Sequence, residues 1–374
     1  MRRLQLGMVG GGEGAFIGEV HRIAARLDGH FDLVAGAFSS DAERAHQSAR
    51  DLGVEAARSY ADFREMAKAE AARAGGIDAV SIVTPNHLHG EIAMAFLEAG
   101  IAVICDKPMT ATLEQAEALT AVAKRTKTPF FLTHNYTGYP MVRQARDMIA
   151  QGALGALRLI DVAYLQDWLT RPTDPAHKQA SWRINPDLSG GGAIGDIGSH
   201  AYNLLRFVTG LRPETVSAQL RSFVPGRAVD DDVRATLAFA GETYGQLWAS
   251  QVAVGNENNL SLKIYGEAAA LEWHQERPDQ LIYTEFGAPR QILTRGGAGA
   301  NAAARAVTRV PNGHPEGYLE AFATLYAEAA SVLRGEACET VVGIEDGLEG
   351  MRFIDACQTS SRQGGAAVTF AASD

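Results

Sequence analysis

The 374-residue sequence contains few cysteines and no long apolar run. Its three cysteines, Cys105, Cys338 and Cys357, are odd in number and far apart, which argues against a disulfide framework and favours a reducing compartment. No apolar stretch approaches the roughly 20 residues that a membrane-spanning helix needs. The apolar run that follows Arg2 and Arg3 is also too short for a signal peptide. These absences predict a cytoplasmic protein with no membrane partner.

Positive charge is also in short supply. The sequence has 34 Lys and Arg residues against 44 Asp and Glu residues, a formal net charge of −10. This balance argues against nucleic acid or an anionic membrane as the main partner, since both attract basic surfaces. The remaining composition is ordinary for a globular protein, and the length predicts about two domains.

The first third of the sequence alternates between strand and helix patterns. The spacing of apolar residues predicts buried strands at 4–9, 31–38, 77–83, 101–105 and 129–133, separated by helices that include 62–73, 89–98 and 112–126. Strands separated by helices of this length form a parallel, doubly wound sheet with right-handed crossovers. We therefore predict an α/β domain over residues 1–135.

The pattern changes after about residue 136. A helix at 140–150 and a long strand at 157–168 lead to a glycine-rich turn and a helix at 197–208. Successive strand-like runs without helices follow, which predicts a large, mostly antiparallel sheet. The runs lie at 215–223, 233–239, 244–251, 260–265, 271–274 and 280–284; residues 295–313 read as an irregular loop, and 315–334 and 344–361 as helices.

We therefore predict an α+β domain over residues 136–374. Its C-terminal helices can pack back on the first domain. A sheet with helices on one face leaves its other face open, and a second subunit is the simplest cover. We expect a homodimer or homotetramer formed through this sheet.

The most informative stretch is residues 7–21, G-M-V-G-G-G-E-G-A-F-I-G-E-V-H, between the first strand and the first helix. A buried strand, a glycine-dense turn and a helix start together form the dinucleotide-binding unit of the Rossmann fold. Gly10 and Gly12 fit this fingerprint, but the next regular glycine, Gly18, comes three residues late. Either Ala15 takes the third position or residues 13–17 lengthen the loop; a plain tight turn is the simpler alternative. The predicted cofactor-binding residues of this stretch are Gly10, Gly12, Gly14, Ala15, Phe16 and Ile17.

Polar residues follow the predicted strands, where ligands bind in such sheets. Thr84-Pro85-Asn86 and Asp106-Lys107-Pro108 come directly after two of the strands. The end of the second strand carries no acid in the usual place for holding ribose hydroxyls, so NAD and NADP both remain open, with NAD slightly favoured. The remaining predicted cofactor contacts are Ser39, Ser40, Arg44, His89 and Asn135.

Three residues are candidates for proton transfer. Lys107 can exchange protons near neutral pH if it lies near a cationic ring or is partly desolvated, although a surface lysine is equally compatible with the sequence. Asp196 and His200 are four residues apart, so both point to one face of the predicted helix. The carboxylate can orient the imidazole or simply cap the helix. His87 and His89 could complete a metal site with this pair, but spacing alone does not show convergence, and we predict no metal.

Aromatic residues near these positions suit a carbohydrate ligand. Trp168, Trp182 and Arg183 flank the glycine-rich turn, and Tyr136 follows the last strand of the first domain. Aromatic faces stack on the C–H faces of sugars, although burial in the core is the commoner fate of tryptophan. We include all four among the candidate substrate contacts.

Three separated motifs resemble one family. T-P-N-H-L-H at 84–89, C-D-K-P at 105–108 and G-D-I-G-S-H at 195–200 are similar to motifs of the Gfo/Idh/MocA family of oxidoreductases, named for glucose–fructose oxidoreductase, inositol dehydrogenase and rhizopine-catabolism relatives. The usual E-K-P of the family appears here as Asp106-Lys107-Pro108. The runs 164–168 and 181–183 resemble the branch that contains levoglucosan dehydrogenase.

The resemblance implies an NAD(P)-dependent dehydrogenase that acts on a secondary hydroxyl of a sugar, anhydrosugar or cyclic polyol. It also implies a catalytic trio of Lys107, Asp196 and His200, all three of which contact substrate. His200 is the expected base, Lys107 the donor that stabilises the alkoxide and Asp196 the substrate anchor, although Lys107 and His200 could exchange roles. The main alternatives are a non-catalytic NAD(P) sensor with the same fold and a metal-dependent hydrolase.

Overall fold

The computed structural model describes residues 2–172 and 189–370, and the chain divides into two compact units. The first unit comprises Met1–Asn135 and Leu319–Leu348, and the second comprises Tyr136–Tyr318 and Glu349–Asp374. Within the described residues, no helix is both long enough and apolar enough to cross a membrane.

A five-stranded sheet forms the centre of the first unit. Its strand order is β2-β1-β3-β4-β5, and every neighbouring pair is parallel, which confirms the predicted doubly wound sheet. The three strands β3, β4 and β5 are fully buried, as expected for strands covered by helices on both faces. The elements are β1 (Leu4–Gly10), α1 (Phe16–Leu27), β2 (Phe31–Ala37), α2 (Ala42–Asp51), α3 (Phe63–Ala72), β3 (Ala79–Val83), α4 (Asn86–Glu98), β4 (Ala102–Cys105), α5 (Leu113–Thr126) and β5 (Phe130–Leu132).

Helix boundaries in this unit follow the capping residues. Thr112 caps α5 by accepting a hydrogen bond from the Gln115 amide at 3.3 Å. Helix α4 begins at Asn86, three residues earlier than predicted, because Pro85 occupies the N-cap position with a φ of −58°. The sequence pattern does not predict α2, whose few buried residues are small, namely Ala45, Ser48 and Ala49.

The second unit is built on a nine-stranded sheet of order β13-β12-β11-β10-β6-β9-β8-β7-β14. Among the described strands of this sheet, only β6 and β9 pair in parallel, which confirms a mostly antiparallel sheet. The elements are α6 (Pro140–Ala150), β6 (Leu157–Leu165), α7 (Ser199–Thr209), β7 (Pro213–Arg221), β8 (Asp232–Phe239), β9 (Tyr244–Ser250), β10 (Asn259–Gly266), β11 (Ala269–His274), β12 (Gln280–Glu285), β13 (Gln291–Thr294), α8 (Ala302–Ala306), α9 (Tyr318–Leu333), α10 (Ile344–Arg362) and β14 (Val368–Thr369).

Two predictions about this unit are wrong in detail, and two of its strands are not predicted. Strand β6 ends at Leu165 rather than at residue 168, since the chain turns where the Thr170 amide donates to the Asp167 carbonyl. Part of the predicted loop at 295–313 is helix α8, whose N-cap residue Asn301 accepts from the Ala304 amide. The strands β13 and β14 were not expected from the sequence because one is largely exposed and the other is only two residues long.

The helical layer of the second unit covers one face of the sheet. Helix α7 packs on β6, β9 and β10. Along β6, Ile160, Val162 and Tyr164 are buried, whereas Leu159 is 54% exposed on the opposite face. A π-helical turn, Ile194–Gly198, leads directly into α7 and carries Asp196. The predicted helix at 197–208 therefore begins one turn earlier.

Candidate active site

The glycine loop lies where the sheet changes direction. Gly10 ends β1 opposite Val83, the last residue of β3, and β1 and β3 flank the topological switch point at which such sheets bind ligands. Gly10 has a φ of +79°, and a Cβ there would lie 2.8 Å from the Val83 carbonyl oxygen. A Cβ on Gly12 would lie 2.8 Å from the Phe38 carbonyl oxygen. Both positions therefore require glycine.

The loop is longer than the regular fingerprint. A Cβ on Gly18 would lie 2.4 Å from the Gly11 Cα, so Gly18 is the glycine that lets α1 pack against the loop. Residues 13–17 are thus an extension, and Ala15 serves as the N-cap of α1 with no side-chain hydrogen bond. Gly14 has a φ of +74° with open space around its missing Cβ. Since no side chain caps α1, its first-turn amides have the geometry that binds phosphate.

Two buried polar groups near the strand ends lack partners. The Thr84 hydroxyl and the Asn135 side-chain nitrogen make no hydrogen bond within residues 2–172 and 189–370. An unsatisfied buried group normally costs about 1–3 kcal/mol, so its presence points to a partner that joins from outside the chain. Both residues are predicted cofactor contacts, and together with the glycine loop they fit a bound dinucleotide.

The segment after β2 carries a capping carboxylate at the start of α2. Asp41 caps α2 by accepting from the Arg44 amide at 2.8 Å, so this helix start is already neutralised by a carboxylate. The Ser39 hydroxyl accepts from the Asp41 amide at 3.1 Å. Ser40 and Arg44 are exposed.

Asp106, the residue before Lys107, is held by contacts within the first unit. The Asp106 carboxylate accepts a hydrogen bond from the Thr133 hydroxyl at 2.9 Å and lies 3.7 Å from His21 Nε2. Burial acts to raise the pKa of Asp106, but the His21 imidazole and then the charge of Lys107 lower this pKa to about 2. His21 is fully buried, and its Nδ1 lies 2.8 Å from the Tyr326 hydroxyl of α9. Lys107 itself is half-buried, next to an ionised carboxylate.

His89 lies in the first turn of α4, after the end of β3. Its ring is completely buried, with Nδ1 2.8 Å from the Pro108 carbonyl oxygen and Nε2 2.8 Å from the Thr84 carbonyl oxygen. The predicted direct contact between this ring and a cofactor does not fit such burial, because both nitrogens face the main chain. Of its neighbours, Asn86 is buried and Pro85 is half-buried at the start of α4.

The second unit carries Asp196 and His200 on the π-helical turn and α7. Asp196 Oδ2 accepts a hydrogen bond from the Gln251 side chain at 2.9 Å. The start of this turn is fixed by Asp230, whose carboxylate accepts from the Gly192 amide at 2.9 Å and the Ile194 amide at 2.7 Å.

Asp230 gives a prediction for stability against pH. Burial raises the pKa of Asp230 to about 6, against the lowering effect of its two amide bonds. The protonated form is therefore favoured by folding, and this contribution is lost as the pH rises from about 4 to about 6. Relative to Asp230→Asn, the wild type should lose up to about 3 kcal/mol of unfolding free energy across that range. Urea titrations of both proteins at several pH values measure this difference.

The exposed Asp355 on α10 supplies the matched control, because Asp355→Asn alters a carboxylate that caps no helix. A difference between the wild type and Asp230→Asn that does not change with pH would contradict the assignment.

Two tyrosines surround His200. The rings of Tyr136 and Tyr164 contact the His200 ring, with centroid distances of 4.9 and 6.2 Å. The Tyr136 hydroxyl lies 2.5 Å from the Tyr164 hydroxyl, which donates to Asn258 Oδ1 at 2.7 Å. Burial raises the pKa of both tyrosines, so both hydroxyls stay neutral. Two neutral hydroxyl-bearing rings therefore border the imidazole, and the charge of Asp196 acts on both of them.

This polar chain continues to the surface. Gln166 donates to Asn258 at 2.8 Å and accepts from the Trp168 indole at 2.9 Å. Trp168 is 41% exposed, so it offers an aromatic face to solvent. Trp182 and Arg183, also predicted to contact substrate, lie outside the described residues.

Several of these residues are not apparent from sequence. Tyr164 and Gln166 lie in the run that resembles the levoglucosan dehydrogenase branch, so a signal existed for them. Asn258 lies in a polar turn before β10, and Asp230 lies in a run of three aspartates. Nothing in the sequence distinguishes either residue from its neighbours. In the described parts of the chain, no cluster of three or more His, Cys, Asp or Glu side chains could hold a metal ion.

A parallel sheet with a glycine loop at its switch point, joined to an open antiparallel sheet, defines a dinucleotide-binding protein of two domains. Comparison with known proteins agrees. The oxidoreductase family with the NAD-binding Rossmann fold matches residues 4–134, and the GFO/IDH/MocA C-terminal domain matches residues 142–272. The chain belongs to the Gfo/Idh/MocA family of NAD(P)-binding oxidoreductases, which confirms the resemblance.

The chain is 51% identical to an oxidoreductase from Sinorhizobium meliloti, with a TM-score of 0.90 over 99% of this chain and 100% of that one. An inositol dehydrogenase homolog from Azotobacter vinelandii, solved with NADH and myo-inositol, is 34% identical, with a TM-score of 0.92 over 99% of this chain and 98% of that one. The levoglucosan dehydrogenase of Pseudarthrobacter phenanthrenivorans is 31% identical over 75% of this chain and 76% of its own length.

Proposed function

We propose that this protein oxidises a secondary hydroxyl of a sugar, anhydrosugar or cyclic polyol, with NAD as hydride acceptor. The observation that carries the proposal is the setting of His200. A potential base packs against two tyrosines whose hydroxyls continue into a chain of neutral amides. Neutral donors and acceptors match a ligand that carries many hydroxyl groups and no charge. Relatives solved with myo-inositol and with levoglucosan are consistent with this substrate class.

The proposed mechanism needs a base, a donor and an anchor around one carbon. When bound, nicotinamide supplies a site that accepts hydride. The His200 imidazole takes the hydroxyl proton, and the Lys107 ammonium donates a hydrogen bond to the oxygen as negative charge develops. Asp196, oriented by Gln251, accepts a hydrogen bond from the substrate. Lys107 and His200 in exchanged roles would satisfy the same chemistry.

The glycine loop, the start of α1 and the polar atoms of Thr84 and Asn135 would hold the dinucleotide. We propose NAD rather than NADP, because the Asp41 carboxylate occupies the start of α2, where a 2′-phosphate would be repelled.

Asp41→Ala should therefore shift cofactor preference. Removing the carboxylate frees the first-turn amides of α2 and removes a negative charge. We expect the ratio of kcat/KM for NAD to that for NADP to fall by about 5–30-fold, the scale of 1–2 kcal/mol. Steady-state kinetics with both nucleotides measure the ratio. Asp51→Ala, at the opposite end of the same helix, is the control, and an unchanged ratio in Asp41→Ala would reject the assignment.

We further propose a homodimer or homotetramer formed through the open sheet face. Leu159 is the register neighbour of both Tyr244 and Tyr265, and all three are exposed. Leu159→Glu should weaken self-association, as measured by sedimentation equilibrium, whereas Val254→Glu, in an exposed turn, should not. A monomeric wild type at working concentration would contradict this proposal.

The test of function is formation of reduced nicotinamide with a panel of inositols, pyranoses and anhydrosugars. Activity on one of these substrates that is insensitive to chelators supports the proposal. NAD binding without turnover of any of them would instead favour a sensor. Hydrolysis that a chelator abolishes would favour the metal-dependent alternative.

A further inference from the structure

We propose that His89 is a positioning residue that fixes two functional turns of the first unit relative to each other. One turn carries Thr84, and the other carries Lys107-Pro108. The inference rests on the proposed function for the roles of these turns in cofactor binding and catalysis, but not for the geometry that joins them.

The ring touches main chain from both turns. Nδ1 lies 2.8 Å from the Pro108 carbonyl oxygen, and Nε2 lies 2.8 Å from the Thr84 carbonyl oxygen. The two carbonyls belong to residues 24 positions apart, at the ends of different strands. A single rigid ring therefore sets the spacing between them.

Both contacts of the ring are with main-chain oxygens. At Thr84 the carbonyl faces His89, while the buried hydroxyl has no hydrogen-bond partner within the described parts of the chain. At the other turn the contact is with the carbonyl oxygen of Pro108, the residue after Lys107. His89 thus restrains the backbone next to both residues.

The protonation state of the ring decides how many of these bonds form. Carbonyl oxygens only accept, so a doubly protonated ring makes both bonds, whereas a neutral ring donates to one carbonyl and its bare nitrogen repels the other. Burial lowers the pKa of His89, and its two carbonyl contacts and the Asp106 carboxylate act in the opposite direction. The ring therefore holds both turns when it is doubly protonated and one of them when it is neutral.

A change in this spacing should lower turnover, because hydride transfer depends on how the two reactants are positioned relative to each other. A displacement of about 1 Å in a positioning contact can reduce turnover by about 100-fold. A residue that only fills space would behave differently. Its replacement would lower stability, but it would not affect NAD affinity in one variant and kcat in another.

Amide substitutions distinguish the two contacts. The amide nitrogen of His89→Asn reaches the position of Nδ1 and keeps the Pro108 bond, whereas that of His89→Gln reaches the position of Nε2 and keeps the Thr84 bond. His89→Leu keeps neither. Ile92→Val, equally buried on the same helix α4, is the matched control for packing.

We expect His89→Asn to weaken NAD binding by about 10-fold with a smaller change in kcat, and His89→Gln to lower kcat by about 10-fold with a smaller change in NAD affinity. His89→Leu should show both losses. Backbone hydrogen exchange should accelerate at residues 84–86 in His89→Asn and at residues 106–109 in His89→Gln. Equal effects in the two amide variants, or effects no larger than those of Ile92→Val, would overturn the inference.

The binding and exchange measurements need no substrate. If the wild type turned over none of the tested alcohols, the proposed function would fail, while these two measurements would still decide the role of His89.

Discussion

Replacing Lys107 with methionine is expected to lower kcat by about 100-fold to 10,000-fold while NAD still binds. Methionine keeps most of the length of the side chain but removes the ammonium group that would stabilise the developing alkoxide. The contribution of proton transfer or charge stabilisation by one group is of this size. Single-turnover kinetics and fluorescence titration with NADH measure the two effects separately.

His200→Asn should show a loss of at least 100-fold on the same grounds, because the amide cannot accept the hydroxyl proton. Lys68→Ala, which removes an exposed lysine from α3, is the control for loss of a positive charge. If Lys107→Met retained wild-type turnover, the lysine would have no place in the chemistry, and the assignment would pass to His200 alone.

Gly18→Ala is expected to weaken NAD binding by about 10-fold to 100-fold. The added Cβ would lie 2.4 Å from the Gly11 Cα and 2.7 Å from its carbonyl oxygen, which are backbone atoms that cannot move aside as a flexible side chain would. Helix α1 must therefore shift away from the loop, at a cost of about 1–3 kcal/mol. That shift displaces the first-turn amides from the phosphate site.

The thermal shift produced by NAD provides the measurement. At 100 times Kd the wild type should gain about 2.7 kcal/mol of unfolding free energy, and Gly18→Ala should gain clearly less at the same NAD concentration. Gly350→Ala on α10 is the control, since a Cβ there meets no atom within 4 Å and φ is not positive. A full NAD-dependent shift in Gly18→Ala would show that the loop tolerates a displaced α1.

The sequence predicts those parts of the fold in which a local pattern matches a long-range structure. The parallel sheet follows from alternating apolar strands and helices, and the capping position of Thr112 is visible in the sequence itself. The glycine loop illustrates the limit. Its irregular spacing leaves two alternatives open, and only the approach of Gly18 to Gly11 shows that the loop is lengthened.

The environment of the candidate residues is much less predictable, because it depends on contacts between distant segments. Tyr164 and Asn258 are 94 residues apart and join only through the pairing of β6 with β10. The surroundings of His89 are equally hidden from the sequence. A histidine after a strand end is a reasonable candidate for a cofactor contact, and only the structure shows that its ring is buried against main chain. The roles of Lys107, Asp196 and His200 stay predictions until they are tested by substitution.

The most direct test of hydride transfer uses an alcohol substrate labelled with deuterium at the oxidised carbon, taken from the panel that supports turnover. We predict that the deuterium appears at C4 of the reduced nicotinamide, on one face of the ring only. Lys107→Met should transfer it at a strongly reduced rate. Product formation with no deuterium on the nicotinamide would contradict the proposed reaction, whatever the identity of the substrate.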